Sequence, residues 1–139
     1  MFNIRRATDL DSVKWDEYVL HHEEGGPYHL SAWQRAVLCA YGHESYSMLA
    51  EDEKGSIRGI FPIVLVKPPL LKGILVSQPF CDYGGILADD HDIAQNLADN
   101  IIDLTNRKGV NLEVRCQQSQ PAIEKHTVSL MTNKVRMIL

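Results

Sequence analysis

The stretch from Ser77 to Asp90, SQPFCDYGGILADD, holds the side chains best suited to recognition chemistry. Asp82 and Tyr83 offer a carboxylate and a phenol beside Gly84 and Gly85, a pair that permits positive φ and close backbone approach. Pro79 removes a ladder donor, so regular strand pairing should stop near Gln78. A strand that ends in a glycine loop and then opens a helix is where α/β proteins commonly hold ligands. The same residues also fit an Asx-type turn and a packed ring.

Three further positions join the candidates. Ser31 begins a Ser31-Ala32-Trp33-Gln34 run with the spacing of a capping box, in which Ser31 accepts from the Gln34 amide and Gln34 reaches back. Trp33 shares a helical face with Val37, Ala40 and Tyr41, which suits a core position as well as a site. Arg115 sits near a strand end beside Cys116, as an anion contact or an ordinary strand charge.

Other chemistries find little support. The histidines at 21, 22, 29, 43, 91 and 126 lack metal-ligand spacing and read as surface or packing residues. No Ser-His-Asp order or C-x-x-C pair argues for nucleophilic or redox catalysis. Cys39, Cys81 and Cys116 read as reduced thiols, two of them buried in or beside secondary structure. A coenzyme A pyrophosphate would need glycine-spaced backbone N–H groups at a helix start. Here the glycines are adjacent, and Asp89, Asp90 and Asp92 make that start negative.

The elements that must position these residues follow from periodicity. Phe2 to Arg6 alternates as a strand. Leu10 to His22 reads as a helix with Trp15, Tyr18, Val19 and His22 on one face, broken by Gly25-Gly26-Pro27. A second helix starts at Ser31 and ends at Gly42. Ser45 to Glu51 and Ile57 to Val66 read as strands joined by a hairpin, with Gly59 and Pro62 marking a bulge or an edge location. A short strand from Gly73 to Ser77 feeds the loop. Asp90 to Lys108 is the most regular helix, with acidic residues at its start and Arg107-Lys108-Gly109 at its end. Val110 to Arg115 alternates as a strand. A polar stretch from Gln117 to Lys125 and two apolar runs, Thr127 to Met131 and Lys134 to Leu139, complete the chain.

At 139 residues the chain fits a single domain. A net charge of −4 with both signs mixed gives no basic stripe for DNA or RNA. No run approaches the roughly 20 apolar residues of a membrane span, and the opening residues lead into Asp9 and Asp11 rather than an apolar signal segment, which points to a cytoplasmic chain.

The order strand, helix, helix, three strands, helix, strand and further strands resembles a GNAT-type acyltransferase core. The expected fold class is therefore α/β (α+β), a mixed sheet flanked by three main helices. In wording the chain resembles the N-terminal half of the FemAB-like proteins, especially those associated with exosortase/PEP-CTERM exopolysaccharide systems. The resemblance rests on Trp15–Val19, Tyr28–Trp33, Gly59–Ile63, Ser77–Leu87, Leu112–Arg115 and Lys134–Met137.

What the resemblance implies is a transferase lineage in which two GNAT-like halves move an acyl or aminoacyl group onto an amine of a cell-envelope or polysaccharide precursor. The donor would be acyl-CoA or aminoacyl-tRNA for the two-lobed protein, with no cofactor held by this half. By position, Ser31, Trp33, Asp82 and Tyr83 would contribute to the precursor-binding cleft, with Trp33, Asp82 and Tyr83 close together. The catalytic residues are not assigned. Ser31 stands where characterised peptidoglycan enzymes carry a lysine. Because the chain stops at Leu139, where the family continues into a second GNAT-like half, it reads as an N-terminal fragment. The final run, Lys134 to Leu139, is then expected to mediate self-association. The alternatives are a non-catalytic precursor-binding module and a CoA-dependent GNAT N-acetyltransferase.

Overall fold

The computed structural model describes residues 1–81, 83–116 and 119–126. Asp82 and the expected runs Thr127–Met131 and Lys134–Leu139, with the self-association assigned to the last, lie outside the described residues. The chain forms β1 (Phe2–Arg6), α1 (Ser12–His21), α2 (Ser31–Tyr41), β2 (Glu44–Ser45), β3 (Met48–Asp52), β4 (Ile57–Phe61), β5 (Val64–Val66), β6 (Ile74–Val76), β7 (Leu87–Ala88), α3 (His91–Lys108), β8 (Asn111–Glu113) and α4 (Pro121–Glu124). The expected mixed architecture with three main helices is what the structure shows. In detail, residues 9–11 form a 3-10 turn before α1, the expected strands Ser45–Glu51 and Ile57–Val66 are each divided in two, β7 lies in the stretch read as loop, and the short α4 lies in the stretch expected to be merely polar.

The strands make two four-stranded sheets, ordered β1-β3-β4-β7 and β2-β5-β6-β8. Every pairing is antiparallel except β6 with β8, which is parallel. The sheets are continuous through bent strands. Between β2 and β3, Tyr46 N–H donates to the Ile63 carbonyl (2.8 Å), and Ile63 N–H donates to the Ser47 hydroxyl (3.0 Å). A side-chain oxygen thus replaces a ladder acceptor where Pro62, which has no N–H to lose, turns β4 into β5.

Pro62 is therefore buried at an internal bend, not on an edge. The β3–β4 register shifts where Ala50 faces Gly59 and Glu51 faces Ile57, so a bulge with Arg58 as its extra residue lies beside Gly59, which is central in β4 between β3 and β7. Its lack of a side chain serves helix packing: a Cβ on Gly59 would stand 2.6 Å from Ile93 Cγ2 and 3.0 Å from Leu97 Cδ1.

Alternation across the first sheet divides the core. Leu49, Ile60 and Leu87 face α1 with Trp15 and Val19, while Ala50 and Phe61 face α3 with Ile93, Leu97 and Ile101. Each large apolar side chain buried this way contributes about 1.5–3 kcal/mol. The ends of α3 match their sequence signals. Asp90 accepts from Ile93 N–H (2.9 Å), and Gly109 takes a left-handed φ of 63° after Arg107 and Lys108.

Helix α2 corrects the capping-box reading. Leu30 is the cap residue, Ser31 is already helical, and the Asp16 carboxylate of α1 accepts from both Ser31 N–H and Ser31 Oγ–H, each at 2.7 Å. Gln34 does not reach back; its Oε1 accepts from the Ser47 hydroxyl (2.8 Å). A carboxylate is a stronger acceptor than a hydroxyl, so the neighbouring helix supplies the cap. The buried face of α2 is Gln34 and Val37, whereas Ala40 and Tyr41 are exposed.

Candidate functional site

The loop that splits β6 from β7, residues 77–86, is where the second sheet ends and the first resumes. Its floor is bolted to the end of β8. Ser77 N–H donates to the Glu113 carbonyl (2.9 Å), and Ser77 Oγ accepts from Arg115 N–H (2.7 Å). Gly84 N–H donates to the Arg115 carbonyl (2.8 Å), and the Arg115 guanidinium donates to the Cys81 carbonyl (3.2 Å) while pairing with Glu113 (2.7 Å). Arg115 is thus used as an internal tie of the loop.

Gly84 and Gly85 do not adopt positive φ; Gln78 (50°) and Phe80 (65°) do. The glycines serve close approach instead. A Cβ on Gly84 would meet Gln78 Cβ and Cγ at 2.5 Å, and one on Gly85 would meet Gln120 Oε1 at 2.6 Å. Left-handed non-glycine residues are uncommon and cost free energy, so two within three positions mark a loop held in shape by its surroundings. Cys81 is buried with its thiol donating to the Gln78 carbonyl (2.7 Å), while Cys39 and Cys116 are exposed, so one cysteine rather than two is buried. Desolvation by its neighbours, followed by the charge of Glu124, raises the Cys116 thiol pKa even so.

Aromatic rings fasten the loop to α2 and the turn before it. The ring of Tyr28 meets Trp33 edge-on at 4.9 Å on one side and Tyr83 at 5.2 Å on the other. Two of the expected site residues therefore converge through Tyr28. Ser31 lies apart, engaged with Asp16 and lining a narrow cleft of about 90 Å³ between α1 and α2. At the other end of α2, Phe80 stacks on Tyr41 (4.5 Å), which stacks on His43 (5.7 Å); Phe80 and Tyr41 are both more than half exposed.

Two residues not singled out in the sequence do much of the positioning. Gln78 is fully buried, its Nε2 donating to the Tyr28 carbonyl (2.5 Å) and its Oε1 without a partner among the described residues. The buried Trp33 indole N–H is likewise unpartnered among them. His29, 3% exposed, accepts from Gly26 N–H at Nδ1 (3.3 Å) and donates from Nε2 to the Gly85 carbonyl (3.2 Å), while its own carbonyl accepts from the Trp15 indole (2.7 Å). Burial pushes the His29 pKa down to about 4, against the weaker upward pull of the Gly85 carbonyl. The ring is neutral near pH 7. A Tyr-His pair before a helix start is the only trace of this clasp in the sequence, and nothing near Gln78 announces its role.

Beyond the loop, a cleft of about 150 Å³ lies beside β7 and the start of α3, lined by Glu24, Ile86, Ala88, His91 and Gln120 among others. Asp90 occupies the Ile93 N–H, and Asp92 adds charge in the first turn of α3. Asp89 accepts from Tyr18 Oη–H (3.0 Å) and pairs with Arg58 (3.4 Å); burial, followed by Asp89, raises the Tyr18 pKa. The positive end of α3 is thus already met by carboxylates. Among the described residues no His/Cys/Asp/Glu cluster is arranged to hold a metal ion, and no helix is long and apolar enough to cross a membrane.

No family model matches the sequence, and no curated protein matches it significantly. Solved structures do match. An acetyltransferase of Trypanosoma brucei aligns over 100% of both chains at a TM-score of 0.66 and 15% identity. The fold is that of the GNAT acetyltransferases. A predicted acetyltransferase of Clostridium acetobutylicum, solved with acetyl-CoA, covers 99% of this chain and 96% of its own, with a TM-score of 0.64 and 13% identity. An aminoglycoside 6'-N-acetyltransferase of Acinetobacter baumannii covers 100% and 97%, with a TM-score of 0.58 and 12% identity. At such identities the likeness speaks for the GNAT-like fold and not for a shared substrate.

Proposed function

We propose that this chain is the acceptor-recognising lobe of an acyl- or aminoacyl-transferase, of the FemAB-like kind, acting on a cell-envelope or exopolysaccharide precursor. The observation that carries the reading is the start of α3, where the Asp90 side chain holds the Ile93 N–H and Asp92 sits in the first turn. A pyrophosphate brought there would have to displace one carboxylate and face the others. The recognition surface is instead the loop 77–86 with Trp33, Tyr28 and Tyr83, together with Asp82. In this reading the donor, acyl-CoA or aminoacyl-tRNA, is carried by a second lobe.

A second reading, a CoA-dependent GNAT N-acetyltransferase, draws support from full-length similarity to an acetyltransferase solved with acetyl-CoA. Titration calorimetry with acetyl-CoA separates the two. The acceptor-lobe reading expects no saturable heat at millimolar acetyl-CoA, and it expects a soluble muropeptide bearing a free amine to shift backbone amide resonances of residues 77–86. Micromolar acetyl-CoA binding with acetylation of an amine would establish the second reading in its place.

A further inference from the structure

The hairpin that joins β5 to β6 runs Lys67-Pro68-Pro69-Leu70-Leu71-Lys72-Gly73, and its tip is built against the usual chemistry of a turn. Leu71 N–H donates to the Pro68 carbonyl (3.2 Å), closing a four-residue turn with Pro69 second and Leu70 third. Proline in the second place and a positive φ in the third make it a type II turn, whose third place normally holds glycine or asparagine. Leu70 stands there at φ 66°, against the steric cost of a left-handed leucine. Its side chain gains nothing within the fold, since Leu70 is 105% exposed and Leu71 63%. Two leucines thus stand in water where glycine would fold better, and folding alone gives no reason for the first of them.

Charge around the tip is one-sided. Lys67 and Lys72 flank the leucines, and no Asp or Glu occurs from residue 57 to 81, in a chain of net charge −4. Pairing of Ile74 with Asn111 brings the end of α3 alongside, and Lys72 Nζ lies 3.9 Å from where a Cβ on Gly109 would stand, next to Arg107 and Lys108 in the last turn. Glu44, at the same end of this sheet, is paired with Arg6 (3.1 Å).

We infer that this tip is a membrane-surface anchor: Leu70 and Leu71 enter the boundary between headgroups and acyl chains, while Lys67, Lys72, Arg107 and Lys108 meet anionic lipid headgroups. Apolar insertion and cation pairing together hold a protein at a bilayer where either alone is weak. Shape favours a lipid surface over a protein partner, because leucines on a tight turn can enter a fluid boundary but present too little area for a stable protein interface. The negative remainder of the chain is repelled by the same surface, so docking is tip-first. The anchor is independent of what the loop 77–86 recognises.

Co-sedimentation with vesicles of equal parts phosphatidylcholine and phosphatidylglycerol, and with phosphatidylcholine alone, tests it. The wild type should bind the anionic vesicles, bind the neutral ones roughly tenfold or more weakly, and lose affinity as salt rises. Leu70→Gly separates anchoring from folding, because glycine suits φ 66°. It should unfold at the same or higher urea than the wild type yet bind anionic vesicles about tenfold more weakly, and adding Leu71→Ser should weaken binding further. Lys72→Gln should lose roughly fivefold. Absence of binding to the anionic vesicles, or wild-type affinity in Leu70→Gly, would overturn the anchor. So would sedimentation velocity without lipid showing a wild-type oligomer that Leu70→Gly disperses, since the tip would then serve contact between copies of this chain.

Discussion

Lowering the pH from 7 to 4 should unfasten the loop 77–86 from the turn before α2, because both nitrogens of His29 are in use. In the neutral ring Nε2–H donates to the Gly85 carbonyl and Nδ1 accepts from Gly26 N–H. Protonation puts a second N–H at Nδ1, aimed at a donor, and creates a charge at a site that is 3% exposed. The folded pKa of about 4 lies below the ordinary 6.5, so the unfolded chain takes up the proton first. The contribution of His29 to stability is therefore complete above about pH 6.5 and is lost as pH falls through about 4. The gap corresponds to about 3 kcal/mol, a large part of the stability of a domain this size. Urea unfolding at pH 7, 6, 5 and 4, followed by tryptophan fluorescence, measures it, since the Trp15 indole donates to the His29 carbonyl. His29→Gln, which does not titrate, is the reference. Its curve retains the effects of the remaining groups, among them Asp11, which Arg5 holds below the usual carboxylate range. Stability of the wild type should fall by about 3 kcal/mol more than that of the variant between pH 7 and 4. Parallel curves would refute the buried-neutral assignment.

Two further outcomes test the packing around the site. Gly59→Ala places a methyl 2.6 Å from Ile93 Cγ2, so it should destabilise by about 1–3 kcal/mol in urea, with a smaller added loss in an Ile93→Ala background where that methyl is gone. Asp16→Ala should lower stability by about 1–2 kcal/mol and Ser31→Ala by less, because the carboxylate takes both Ser31 donors; the reverse order would restore the capping box.

Where local rules acted alone, the sequence was legible. The acidic start of α3 and its Gly109 stop follow from spacing within one helix, and the structure has both, with Asp90 as the cap. It failed where a distant element supplied the answer. Ser31 carried a good local capping signal, but the Asp16 carboxylate comes from another helix. Gly59 does flank a bulge, at Arg58, but nothing local shows that α3 presses on it, and Pro62 fitted an edge because nothing local shows that the Ser47 hydroxyl repairs the ladder beside it. Arg115 could be placed at a strand end but not assigned its partner, the Cys81 carbonyl across the loop.

The glycine pair was half legible: the sequence offered two uses for it and the structure takes one. Gly84 and Gly85 permit both positive φ and close approach; only the second is used, and the left-handed residues are Gln78 and Phe80, whose side chains are committed to Tyr28 and Tyr41. A side chain with enough tertiary contacts holds its backbone in an unfavourable region, and the glycines are then released to act as spacers. One of those spacers, Gly85, admits Gln120 from 35 positions downstream. The shape of the loop is thus made by contacts between remote segments: the ties that hold Gln78 and Phe80 left-handed, and the aromatic fastening through Tyr28. If the acceptor-lobe proposal holds, substitutions at Tyr28 and His29 should weaken muropeptide binding as much as those at Tyr83, because both hold the loop in place, although only Tyr83 was singled out by its sequence.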